Sequence, residues 1–160
     1  MLTLPLDLFP EERQLPSDKI RSLTDDGFNF LDPDLVQLRD YQAVATGIIL
    51  DGKNYGLNLE TADGKTIVAF IVADRKIENG QVILLAPHTA LCGQHHERAR
   101  GRFKKIDPAQ INMVTGDTPE RLRPGIYEKS RFVIATPQTY LNDLRNGVTN
   151  LNGVVIIILD

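Results

Sequence analysis

The sequence predicts an α/β protein whose parallel sheet of about five strands is flanked by helices. Three observations point there. Short apolar runs recur along the chain, stretches of helical length lie between them, and from residue 35 the order is helix, then strand and helix in repetition, ending on a strand. The expected strands are residues 56–60, 82–86, 111–114, 132–135 and 154–159. They are short and mostly apolar, which suggests a sheet buried on both faces. The expected helices are residues 40–50, 65–77, 89–103, 119–129 and 138–145.

Ahead of this pattern, residues 1–34 hold four of the nine prolines, the Asp25-Asp26-Gly27 turn signal and little periodicity. An extended arm is expected there, with at most one short helix near residues 17–23, followed by a single domain over residues 35–160. A length of 160 residues at 42% hydrophobic is enough for one core of ordinary make-up and too little for a second full domain. Cys92 is the one cysteine, so an internal disulfide is excluded and a reducing, cytoplasmic setting is expected. The N-terminus lacks the basic region and long apolar core of an export signal. Even long apolar runs such as residues 154–159 fall far short of the roughly 20 residues that cross a bilayer, so a soluble protein is expected. A net charge of -3 gives no global attraction to a polyanion, so any nucleic-acid binding must rest on a local patch.

The stretch Leu57-Asn58-Leu59-Glu60-Thr61-Ala62-Asp63-Gly64-Lys65-Thr66 reads as a strand, a tight turn and a helix start. Such a turn aims backbone N–H groups and the positive end of a helix at phosphates. On that reading Thr61, Ala62, Asp63 and Gly64 form the cradle, Lys65 reaches the β and γ phosphates of a nucleoside triphosphate, and the Thr66 hydroxyl ligates the bridging Mg2+. The tetrapeptide taken alone fits an ordinary turn before a capped helix equally well, and Asp-Gly-Lys also occurs at Asp51-Gly52-Lys53. The strict phosphate-loop pattern fails at Leu59, which stands at its first glycine position.

Further segments follow in a set order. Leu38-Arg39-Asp40-Tyr41-Gln42 places a glutamine amide, with one donor and one acceptor for an adenine edge, ahead of the loop. Leu84-Leu85-Ala86-Pro87-His88-Thr89 with Gln94 leads a strand into a helix start. The helix beyond carries Arg98, Arg100 and Arg102, followed by Lys104 and Lys105, a basic cluster that spreads around the helix and also reads as solvated surface. His95 and His96 beside it lack a third partner for a metal and are expected at the surface or near a phosphate. Then come Val114-Thr115-Gly116-Asp117, Ala135-Thr136-Pro137-Gln138 and Asn142-Asp143-Leu144. Thr136 with Pro137 also suits a helix cap with proline at the first helical position.

Taken in order, these segments resemble the motifs of superfamily 2 DEAD/DEAH-box helicases, and within them the archaeal Hef and Fanconi-anaemia M group of DNA translocases. The resemblance covers residues 38–160 and implies a partial RecA-like P-loop NTPase domain that binds ATP and Mg2+. It implies Arg39 and Gln42 at the adenine, and Pro87, His88, Thr89, Gln94, Thr115, Gly116, Thr136 and Pro137 on a nucleic-acid backbone, DNA in preference to RNA. Asp160 matches the first residue of the family's Asp-Glu-Ala-His motif, whose carboxylate holds magnesium, and so joins Lys65 in the catalytic set and Thr66 in the metal set. Ala62 stands where the family has glycine; a positive φ there would cost about 1 kcal/mol. Asp63 adds a carboxylate near the phosphates. The 160 residues end at Asp160, ahead of the water-orienting glutamate and the second RecA-like domain that activity requires, so the isolated chain is expected to lack efficient hydrolysis. The competing expectation is a non-catalytic nucleic-acid-binding or protein-interaction module derived from a helicase domain.

Overall fold

The computed structural model describes residues 40–50, 65–103 and 105–160. The chain divides into two compact units, Met1–Arg75 and Lys76–Asp160. The expected arm, the expected strand over residues 56–60 and the loop residues Thr61, Ala62, Asp63 and Gly64 lie outside the described residues, as do Arg39 and Lys104.

In the first unit, α1 spans Asp40–Leu50. Gln42, Ala45 and Thr46 are buried at the three- and four-residue spacing of one helical face. Thr46 donates its hydroxyl to the Gln42 carbonyl at 2.8 Å, the back-bond that satisfies a hydroxyl inside a helix. Helix α2, Lys65–Lys76, begins at the Gly-Lys-Thr segment and reaches the boundary between the units. Val68 and Phe70 to Asp74 are buried, so this helix is covered nearly all round rather than along one stripe.

The second unit is built on a wholly parallel sheet. Its strands are β1 Gln81–Leu85, β2 Ile111–Val114, β3 Phe132–Ala135 and β4 Val154–Leu159, in the spatial order β2-β3-β1-β4. Helix α3, Thr89–Arg102, links β1 to β2; α4, Arg123–Lys129, links β2 to β3; α5, Pro137–Arg145, links β3 to β4. Side chains alternate across the sheet, which separates two cores. On one face Ile83, Leu85, Val133, Ala135 and Val114 pack with Tyr127 and Tyr140. On the other, Phe132 meets Phe103 at the end of α3, ring centroids 5.0 Å apart.

Four strands are described where five were expected, because the fifth falls outside the described residues. Burial on both faces holds for β1 and β3 and not for β4, where Val155, Ile157 and Leu159 are exposed. Strand β4 stands at the edge of the described sheet, and its outer-face side chains have no helix over them among the described residues. The helix expected over residues 119–129 is broken: Glu120–Leu122 forms a 3-10 turn and α4 restarts at Arg123. Pro124 is the cause, since it has no N–H to give and its ring would clash with the carbonyl four residues back. Restarting the helix places Pro124 in the first turn, where neither matters.

Candidate nucleic-acid and nucleotide site

All four strands of the second unit run the same way, so the segments that follow them gather at one edge of the sheet. These are Ala86 to His88 after β1, Thr115 to Thr118 after β2, Thr136 after β3 and Asp160 after β4. In open parallel sheets this carboxyl edge is where ligands bind. Two backbone bonds hold the edge together: Ala86 N–H donates to the Ala135 carbonyl at 3.0 Å, and Asp160 N–H to the Leu85 carbonyl at 2.9 Å. A groove of about 540 Å³ lined by Gln81, Arg131 and Gly153 opens at the opposite edge of the sheet, away from all these segments.

Pro87, His88 and Thr89 are exposed, with His88 extended at the N-cap of α3 and Gln94 exposed further along it. The His88 side chain makes no cap bond, so no N-cap side chain satisfies the first N–H groups of α3. After β2 the chain closes a turn: Thr118 N–H donates to the Thr115 carbonyl at 3.0 Å and Thr115 N–H to Thr118 Oγ1 at 3.1 Å. Thr115 is buried with its backbone groups used inside the turn, which leaves Gly116 and Asp117 as the exposed part of that loop. Thr136 takes the extended N-cap conformation and Pro137 the first turn of α5, as the sequence suggested. The Thr136 hydroxyl, however, donates to Thr139 Oγ1 at 2.8 Å and caps no backbone N–H.

A buried charged cluster fastens the Thr115–Thr118 turn to α5. Arg123 donates from Nη1 to Asp143 Oδ1 at 3.0 Å, from Nε to the Thr118 carbonyl at 2.9 Å and from Nη2 to the Thr115 carbonyl at 3.4 Å. Tyr127 donates its hydroxyl to Asp143 Oδ2 at 2.8 Å. Burial first, and then the adjoining Asp143 carboxylate, push the Tyr127 phenol far above its ordinary range. The proton therefore stays on Tyr127, which donates it in a hydrogen bond to the Asp143 side chain that also faces Arg123. Asp143 was visible in the sequence as part of Asn142-Asp143-Leu144, but its two partners were not, and no sequence signal marks Arg123.

His95 is not at the surface, one of the two placements expected for it. It is 1% exposed on the inner face of α3, and its Nε2 lies 2.8 Å from Asp160 Oδ2. His96 is half-buried, with Nε2 3.0 Å from the Ile111 carbonyl. Arg98 and Arg100 are exposed, and Lys105 approaches Glu78 at 4.0 Å, a surface pair of small energetic weight. Cys92 is buried and its thiol is pushed up by desolvation. In the first unit Lys65 is exposed and Thr66 half-buried at the first turn of α2, while Gln42 is buried in α1. Among the described residues no helix is long and apolar enough to cross a membrane, and no group of three or more acidic, histidine or cysteine side chains is placed to hold a metal.

Comparison with known proteins agrees with this arrangement. The DEAD/DEAH box helicase family matches residues 39–160. A putative ATP-dependent RNA helicase of Methanocaldococcus jannaschii is 32% identical over 130 residues, covering 80% of this chain and 16% of that protein. An ATP-dependent DNA helicase of Pyricularia oryzae is 32% identical over 128 residues, covering 77% of this chain and 11% of its own length. The chain thus spans less than a fifth of each of these relatives. Among solved structures, the Hef helicase domain of Pyrococcus furiosus superposes with a TM-score of 0.73 at 34% identity, over 79% of this chain and 27% of that one. With its motifs in order and its fold shared, the chain belongs to the DEAD/DEAH box helicase family.

Proposed function

We propose that this chain is a first-domain segment of an ATP-dependent helicase or translocase, binding ATP with magnesium at α2 and a nucleic-acid backbone at the carboxyl edge of the sheet. The observation that carries the reading is the family match over residues 39–160, with Lys65 and Thr66 opening α2 as a phosphate loop requires. Lys65 supplies an exposed positive charge for the β and γ phosphates. Thr66 and Asp160 offer hard oxygen donors, which suit magnesium, and the Asp160 side chain keeps 21% of its surface open for a ligand. Magnesium, when bound, neutralises charge on the phosphates. Arg39 and Gln42 serve the adenine, and Thr61, Ala62, Asp63 and Gly64 wrap the phosphates.

Nucleic-acid contacts fall to the exposed helix start at Pro87, His88 and Thr89, to Gln94, and to Gly116, Thr136 and Pro137. Thr115 acts by shaping its turn. Backbone N–H groups at helix starts suit phosphate and carry no base information. DNA is favoured because the relatives named DNA helicases include that of Pyricularia oryzae and one of Methanocella arvoryzae, 32% identical over 124 residues. Efficient turnover needs a second RecA-like domain, and the buried, free Cys92 suits a cytoplasmic setting.

The test is calorimetric titration of the chain with ATP and magnesium, beside the Lys65→Ala variant. The expected result is saturable binding that Lys65→Ala weakens at least tenfold. Unaltered binding in that variant, or none in either protein, would instead favour a non-catalytic interaction module, a reading to which Ala62 in the glycine position gives some support.

A further inference from the structure

We infer that His95 is the positioning residue for the Asp160 carboxylate, holding it ready for magnesium from the buried face of α3; the inference rests on the nucleotide reading above. His95 is 1% exposed and Asp160 21% exposed, so one partner is anchored in the core while the other faces solvent. An ionised carboxylate only accepts hydrogen bonds, so at 2.8 Å His95 Nε2 is the donor to Asp160 Oδ2. That bond occupies one carboxylate oxygen and restrains the side-chain rotamer, leaving Oδ1 outside it. The Asp160 backbone is fixed separately, through its N–H to the Leu85 carbonyl at 2.9 Å. Backbone and side chain are thereby held from two elements, β1 and α3. Groups that orient a ligating carboxylate in this way sit outside the metal's own ligand set, and losing them costs about 10–100-fold in metal affinity.

The placement has a second consequence. His95 follows Gln94 on α3, the helix whose exposed start is the proposed nucleic-acid contact. One rigid helix of 14 residues therefore carries both the nucleic-acid contact and the donor that aims the magnesium carboxylate.

The test measures binding of a fluorescent ATP analogue to the chain across a series of free magnesium concentrations. His95→Ala should raise the magnesium concentration at half-effect about tenfold, with nucleotide affinity in excess chelator unchanged. His95→Gln, which keeps an N–H donor at similar reach, should restore most of it. In an Asp160→Asn background His95→Ala should add no further shift, whereas a merely structural histidine would act independently of Asp160. A half-effect concentration within twofold of the parent in His95→Ala, or an equal shift in both backgrounds, overturns the inference. Should His95→Ala fail to fold, His95→Gln against His95→Leu answers the same question, and equal midpoints overturn it. Lys65→Ala separates the two levels: loss of nucleotide binding there beside an inert His95→Ala removes this inference alone, while binding unaffected by Lys65→Ala removes the nucleotide reading and this inference with it.

Discussion

Asp143 accepts from Arg123 Nη1 at one oxygen and from the Tyr127 hydroxyl at the other, all within a buried pocket between the Thr115–Thr118 turn and α5. Removing one partner of such a pair leaves an uncompensated buried charge, which costs far more than the intact pair contributes. Asp143→Ala should therefore destabilise the chain by about 3–5 kcal/mol, read as a lower urea midpoint at unchanged slope. A loss below 1 kcal/mol would mean that Arg123 finds solvent or another acceptor. This cluster was half legible from the sequence. Asp143 stood out in a recognisable segment, but its partner Arg123 lies 20 positions away and its pairing depends on how the chain folds back. The same holds for His95, whose partner Asp160 is 65 positions distant. Local spacing offered His95 no third metal ligand and so suggested a surface residue; only the register of β1 with β4 brings the carboxylate to it.

At the scale of elements, strands β2, β3 and β4 coincide with the expected runs, and β1 differs by one residue at each end. Those runs were legible because short, mostly apolar stretches of four to six residues suit the strands of a parallel sheet. The break in the expected helix over residues 119–129 was also present in the sequence, in Pro124. The close of α5 is firmer: Asn146 is followed by Gly147 at φ 69°, with Gly147 N–H to the Leu144 carbonyl at 3.2 Å and Val148 N–H to the Asp143 carbonyl at 2.8 Å. This pair of bonds is the Schellman closure, which needs a residue in the left-handed region. Gly147→Ala should cost about 1–2 kcal/mol in thermal or urea unfolding, with the sheet unaltered by far-ultraviolet circular dichroism. A stabilising effect would show that the turn opens in solution. The closure also orders Val148, which packs against the Tyr127 and Tyr140 core.

At the scale of the whole molecule, the first unit carries the proposed nucleotide residues Lys65 and Thr66, and the second carries the candidate nucleic-acid contacts and Asp160. Family membership was readable from the order of the motifs, and the DEAD/DEAH box helicase match over residues 39–160 bears it out. Individual roles were less readable, because Thr115 and His95 show the same residue types whether buried or exposed. The most direct measurement is an amide NMR titration of the isotopically labelled 17.9 kDa chain with magnesium and a non-hydrolysable ATP analogue. Saturable shifts are expected at Lys65 and Thr66 together with Asp160, dependent on magnesium for Asp160 and lost in Lys65→Ala. Shifts confined to other regions, or identical in Lys65→Ala, would contradict the nucleotide reading.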